Sequence, residues 1–135
     1  MAGFTFAYRE SGGAPTIQDL TFKDTETLTK GDLVNLESGQ IDLAATNDTA
    51  FVGVALETKA GTTAVSTLKV ITDVDAVYSV VDNNARLIGA TLDIAGATGA
   101  MTVTTSSNAD VQVVANSSAT EPTLVRFNVG KHFKD

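Results

Sequence analysis

The stretch from Ile71 to Asp82, ITDVDAVYSVVD, sets Asp73, Asp75 and Asp82 in otherwise apolar text. On a strand, Asp73 and Asp75 point to one face, ~6–7 Å apart along the chain. That separation is near the one used by the carboxylate pair of a glycosidase. The same acids are candidate oxygen ligands for calcium. The plain alternative is the rim of a strand.

Neither chemistry finds its usual pattern in the neighbouring residues, which leaves only an irregular calcium site open. An EF-hand loop needs oxygen ligands at alternate positions, glycine at the sixth and an acid at the twelfth. Counted from Asp73, the fifth position is Val77, the sixth Tyr78 and the twelfth Asn84; counted from Asp24, the fifth is Leu28. A sugar cleft brings aromatic platforms, but the chain has no tryptophan and only Tyr8 and Tyr78 as tyrosines. The one histidine, His132, lies beside Lys131 and Lys134 near the chain end and is expected at the solvent surface. That argues against a histidine-based triad. Without cysteine there is no thiol nucleophile, disulfide or thiolate zinc site. GATGA lacks the Lys-Ser/Thr of a phosphate loop, and no dinucleotide fingerprint is present. The sequons at Asn47 and Asn116 mark polar loops. The reading is a non-enzyme with no cofactor and no metal.

The elements that would position these residues are short strands. A chain of 135 residues, 43% hydrophobic and 6% aromatic, fits one β-rich domain with a core. The net charge of −7 disfavours nucleic acid and anionic membranes and suits a basic or neutral partner surface. The start, MAGFTFAYRE, has neither a basic nor an apolar leader region. No apolar run approaches the ~20 residues of a membrane span. A soluble protein made in a cytoplasm is expected.

Residues 1–15 read as an extended N-terminal arm and 16–135 as a single β-rich domain. Phe4, Phe6 and Tyr8 alternate with small residues and stop at Ser11-Gly12-Gly13. Such a run is either the first strand of the domain's own sheet or an arm adding a strand to a neighbouring subunit. Its aromatics must dock somewhere. Strands are expected over 16–22, 32–36, 41–44, 51–57, 67–72, 76–81, 100–105, 111–115 and 123–129, with loops at 46–49, 60–66, 106–110 and 116–122. Residues 85–94, ARLIGATLDI, suit a helical turn or a strand, and Gly89 and the β-branched residues favour strand. Gly53 inside its strand signals a bulge or a close backbone approach, with Val52, Val54 and Leu56 sharing a face. Residues 31–55 and 89–115 echo one another. Gly31 aligns with Gly89 and Leu36 with Ile94; after two inserted residues Ile41 aligns with Met101 and Val52 with Gln112, a pair that breaks the chemistry. Turn signals at short, regular intervals predict an all-β barrel or sandwich.

The order of segments resembles a known family. The aromatic start is followed by LTKGDLVNLESGQIDLA, then FVGVALETKAGTTAVSTLKVITDVDAVYSVV, then LIGATLDIAG and SSNADVQVV. This is similar to the small decoration, or cement, proteins of tailed-bacteriophage heads. Gly31, Asp32 and Val34 match the family's Gly-Asp-x-Val strand start, and the resemblance covers roughly residues 28–130. It implies a structural virion protein on the capsid exterior. Such a protein binds the major capsid protein, commonly as a homotrimer at three-fold or quasi-three-fold sites, and braces the shell against internal DNA pressure. It supplies no ligand or catalytic residue. From pattern, Phe4, Phe6, Tyr8 and Arg9 are the candidate capsid or subunit contacts, with Glu10 helping to set register. A tail-tube, head-fibre or host-surface and carbohydrate-binding β-module is the alternative. Within ITDVDAVYSVVD, Val74, Ala76, Tyr78 and Val80 share one face. Asp73 and Asp75 are then expected on an acidic outer surface, facing solvent or a neighbouring subunit.

Overall fold

The computed structural model describes residues 3–22, 26–60 and 66–135. Asp24 and most of the loop expected over 60–66 lie outside the described residues. The expected all-β, sandwich-like domain is what the chain forms. Strands are numbered in chain order. One antiparallel sheet runs β1 (Phe4–Arg9), β9 (Ala76–Val80), β13 (Thr123–Phe127), β12 (Val111–Val113), β10 (Thr91–Ala95), β11 (Thr102–Thr105).

The second layer is built from β5 (Gln40–Leu43), β4 (Leu33–Glu37) and β6 (Phe51–Val54), joined side by side, and from the pair β2 (Ile17–Thr21) and β8 (Thr67–Ile71). Two isolated bridges link these groups, Ala55 to Val70 and Phe22 to Ile41. The ring β5-β4-β6-β8-β2 thereby returns to β5, a small barrel that hides its own strand edges. The short pair β3 (Thr27–Leu28) and β7 (Lys59–Ala60) adds a flap. Phe22, Val34, Ile41, Val52, Leu68 and Val70 belong to one buried cluster, which fills the barrel. Leu33, Phe51, Val54 and Ile71 face the other way and pack on Tyr78, Leu92, Val111, Val125 and Phe127 of the six-stranded sheet. Phe51 stacks on Phe127 at 5.1 Å, and Tyr78 meets Phe127 edge-on at 5.9 Å. Barrel and sandwich are thus both present, sharing a wall.

Gly53 produces both features that its position signals. Leu33 pairs with Val54 and Val34 with Gly53, but Asn35 pairs with Phe51, so Val52 is the extra residue of a bulge. The bulge breaks the simple alternation: Val52 and Ala55 join the barrel interior, whereas Phe51 and Val54 join the interlayer core. Val52 and Val54 therefore do not share a face. The internal echo also has a structural counterpart. β4 takes β5 and β6 on its two sides as β10 takes β11 and β12. Gly31 and Gly89 both have positive φ, +97° and +89°. Asn35 and Asp93, the fourth residues after those glycines, do the same work. Asn35 Oδ1 accepts the Ala50 N–H at 3.2 Å, and Asp93 accepts the Ser107 and Asn108 N–H groups at 3.0 and 2.9 Å. Each side chain ties down the loop that leads into the third strand of its unit.

The N-terminal residues are not a free arm. β1 pairs antiparallel with β9 over Phe4–Arg9, with a register shift between Phe6 and Tyr8. Phe4 is buried in the interlayer core, and its N–H bonds to the Gly31 carbonyl at 2.7 Å. Burial of an aromatic side chain is the reason: the chain gains more from closing its own core than from leaving Phe4 in water.

His132 is buried at 1% exposure, against the expected surface position. The adjacent lysines do not decide its place; the segment around it docks along Phe51, with Phe51 N–H to the Lys131 carbonyl and Phe133 N–H to the Phe51 carbonyl. The ring Nδ1 accepts the Lys134 N–H at 3.1 Å, so Nε2 carries the proton and donates to the Val52 carbonyl at 2.8 Å. Burial, the largest influence, pushes its pKa below the ordinary 6.5. The native state thus binds this proton less readily than the unfolded chain. The stability His132 contributes is full above about pH 6.5 and is lost as pH falls through the lower folded value. The thermal midpoint is expected to drop between about pH 7 and pH 5, and His132→Gln to flatten that slope. Thermal denaturation of both proteins across this range is the measurement.

Candidate interaction surface

The acids that prompted the chemical reading hold the chain's own loops. Asp73 is 5% exposed, so it belongs to no outer surface. Its Oδ2 accepts the Thr16 N–H at 2.6 Å, and Arg9 Nε lies 3.5 Å from its Oδ1. Asp75 accepts Arg9 Nε at 3.0 Å and both the N–H, at 3.0 Å, and the hydroxyl of Ser11. The Ser11 hydroxyl is the largest influence on Asp75, whose pKa falls from 3.8 to about 2 against the opposing effect of burial. Together the two acids close the β1–β2 connection at Ser11–Thr16. Both bond to residues 9–16 of the same chain; Asp73 is buried against them, whereas Asp75, 22% exposed, also reaches solvent.

The pattern repeats at other buried acids. Asp32 accepts the Thr29 and Gly99 N–H groups at 2.8 and 2.9 Å. Asp110, with no exposure, accepts the Asn47 N–H at 2.8 Å, the Ile94 N–H at 3.1 Å and the Thr46 hydroxyl at 2.8 Å. A carboxylate with several donors is well suited to a loop whose backbone N–H groups find no ladder partner. The sequence expectation of an acidic outer face is corrected for Asp73.

Asp82 extends this logic to an exposed feature. Burial pushes its pKa up, but bonds from Arg86 and Asn84 outweigh that, and the net shift is down. Arg86 Nη2 donates to Asp82 Oδ1 at 3.2 Å, and Nε approaches Oδ2 at 2.5 Å. Arg86 and Ser117 exchange backbone bonds at 3.1 and 2.9 Å, Ile88 N–H reaches Asn116 Oδ1 at 2.8 Å, and Gly89 N–H reaches the Val113 carbonyl at 2.9 Å. Between these ties Leu87 and Ile88 stand 73% and 64% exposed. The β9–β10 connection is thus a fixed apolar knob, neither helical turn nor strand at its tip. Exposed apolar side chains held by a rigid frame lose little entropy on binding, as an interface anchor requires.

Of the four residues singled out from sequence, the fold absorbs three. Phe4 is buried, Phe6 is half-buried against Tyr78 at 6.5 Å, and Arg9 is paired with Asp75. Glu10, just past the end of β1, pairs with Arg126 of β13 in the same chain. Tyr8 alone remains well exposed, at 44%. Ile17, 50% exposed, follows the same stapled connection, at the end of the sheet where β9 begins. The knob, by contrast, lies at the end where β9 finishes. Sequence reasoning did not single out Leu87 and Ile88 as exposed side chains, although LIGATLD stood among the quoted segments.

A cleft of about 360 Å³ opens between β1 and β6, lined by Phe4, Thr5, Phe6, Lys30, Gly31, Val54, Ala55 and Leu56. It is mostly apolar, with Lys30 exposed at its rim. No protein-family model and no curated protein matches the sequence.

Proposed function

We propose that this is a structural virion protein that binds the outer surface of an assembled phage capsid as a trimer and stabilises the shell against internal pressure. The observation that carries the reading is the division of labour among side chains. The acids at Asp32, Asp73, Asp75, Asp82, Asp93 and Asp110 are engaged in fixing loops. The large apolar side chains left outward among the described residues are Tyr8, Ile17, Val81, Leu87, Ile88 and Val129. Tyr8 with Ile17, and Leu87 with Ile88, are the pairs we take as contact groups. A bracing protein has to present stiff surfaces, and repeated copies turn modest contacts into tight attachment. The segment order described above supports the phage assignment.

Tyr8, with Ile17, is the candidate capsid contact. Removing residues 1–13 would strip Phe4 from the core, so the cleaner test is a pair of substitutions on the folded protein. Undecorated expanded heads mixed with the protein are expected to sediment with it and to rupture at a higher temperature. Tyr8→Ala combined with Ile17→Asp is expected to weaken head binding at least ~10-fold, the effect of losing an interface anchor. Heads that neither bind the protein nor gain thermal resistance would overturn the reading.

A further inference from the structure

Lys131, Asn47 and Asp110 meet where the barrel is tied to the six-stranded sheet. The Lys131 amine nitrogen lies 3.4 Å from Asn47 Oδ1 and 3.8 Å from Asp110 Oδ1. The same Asp110 oxygen accepts the Asn47 N–H at 2.8 Å. Asp110 is fully buried, and the Lys131 side chain is 16% exposed. With a C=O bond of ~1.23 Å, the amine is within ~4.6 Å of the Asn47 carboxamide carbon. Rotation about the lysine's own bonds covers the remaining step to an attack distance of ~3–3.5 Å. An amine, a carboxamide and a buried carboxylate in mutual reach are the parts of an amide-forming reaction. We propose that Lys131 and Asn47 join in an intramolecular isopeptide bond, with Asp110 moving the proton. The bond needs no partner and is independent of the capsid reading.

In the reaction, the neutral Lys131 Nζ attacks Cγ of Asn47 and forms the Nζ–Cγ bond. Asp110 takes the proton that Nζ sheds and passes it to Nδ2. The Cγ–Nδ2 bond then breaks, and ammonia leaves. One amide replaces another, so no oxidant, cofactor or second substrate is required. Groups held in place react as though at very high concentration, and a positioned carboxylate adds proton transfer. The local backbone helps. Asn47 has a φ of +68°, a left-handed conformation that asparagine tolerates, and its N–H bond to Asp110 fixes it beside Lys131. The Asp48 nitrogen, which would close the ring in ordinary deamidation, is engaged with the Ala45 carbonyl at 3.2 Å. Asn47 is exposed, so ammonia has a direct way out. The product clamps the β5–β6 connection to the segment docked on Phe51, across 84 residues of chain.

Intact-mass spectrometry of the purified full chain is the test. After prolonged incubation at about pH 9, where more of the lysine is neutral, the protein is expected to be one ammonia lighter than its sequence. Tryptic digestion should then yield a branched peptide carrying both Asn47 and Lys131. Lys131→Arg, which keeps the charge, and Asn47→Gly, which suits the positive φ, should both retain their full mass. Asp110→Asn, checked for folding by circular dichroism, should react at least ~100-fold more slowly. The crosslinked protein should melt about 10 °C or more above Lys131→Arg. Wild-type protein that keeps its full mass would overturn the proposal, whatever the variants do. So would an ammonia loss that persists in Lys131→Arg, or one that maps to a ring at Asn47 with no branched peptide. A folded Asp110→Asn that reacts at the wild-type rate would overturn the proton-moving role of Asp110.

Discussion

Gly53→Ala destabilises the domain by about 3 kcal/mol or more, the upper range for overpacking a filled core. The reason is space, since Gly53 has no positive φ to protect. A Cβ at this position would sit 1.9 Å from the Ile71 carbonyl oxygen, 2.9 Å from its carbon and 2.7 Å from the Tyr78 hydroxyl. Two of those atoms are backbone and cannot swing aside. Gly53 is where β6 approaches the end of β8, so a methyl group there prises open the barrel wall and shifts the bulge that sorts Val52 from Val54. Gly12→Ala is the control: its φ is +83°, but an added Cβ meets nothing within 4 Å. That variant should lose only about 1 kcal/mol, from backbone strain. Urea unfolding of both, analysed as two-state, gives the comparison. Equal effects would refute the steric account.

Asp110→Ala is expected to cost about 3–5 kcal/mol, the usual result of deleting one member of a buried, hydrogen-bonded charged group. The carboxylate joins three parts of the fold. Ile94 belongs to β10, Thr46 and Asn47 to the β5–β6 connection of the barrel, and Lys131, 3.8 Å away, to the segment docked on Phe51. Removing it leaves the Ile94 N–H, a buried donor, and the Asn47 N–H without their partner. Asp75→Ala, at a more exposed carboxylate (22%), should cost about 1 kcal/mol. A variant at Asp110 no worse than one at Asp75 would contradict the stapling role. The measurement is again the shift in denaturation midpoint at unchanged slope.

How far the sequence spoke depended on the range of the interaction involved. Strand positions were legible because alternation and turn residues are local, and Gly53 was legible because a glycine within a strand has few reasons to exist. The acids were misread because their donors are distant. Asp73 reaches Thr16 and Asp75 reaches Ser11, neither of which has any sequence signature beside the acid. His132 was misread for the same reason: Lys131 and Lys134 are its neighbours in sequence, but Val52 is its partner. The aromatic run at Phe4, Phe6 and Tyr8 fits an edge strand in its own sheet or in another's equally well, because both bury alternate residues. What decides is the Gly31 carbonyl waiting for the Phe4 N–H. Leu87 and Ile88 follow neither strand nor helix spacing, because a loop anchored through Asp82 and Arg86 sets their direction.

The docking of His132 along Phe51 carries a kinetic consequence. The bond from His132 to Val52 closes a loop of 80 residues, and β1 waits for β9, more than sixty residues downstream, before it has a partner. During synthesis the barrel strands emerge long before the residues that cover Phe51, while Phe4 has no core to enter. Such distant pairings are slow to find, because chain entropy must be surrendered before contact repays it. The domain should therefore assemble largely after residues 123–133 have emerged, and a ribosome-bound fragment ending before residue 123 should remain open to protease throughout β1 and β9.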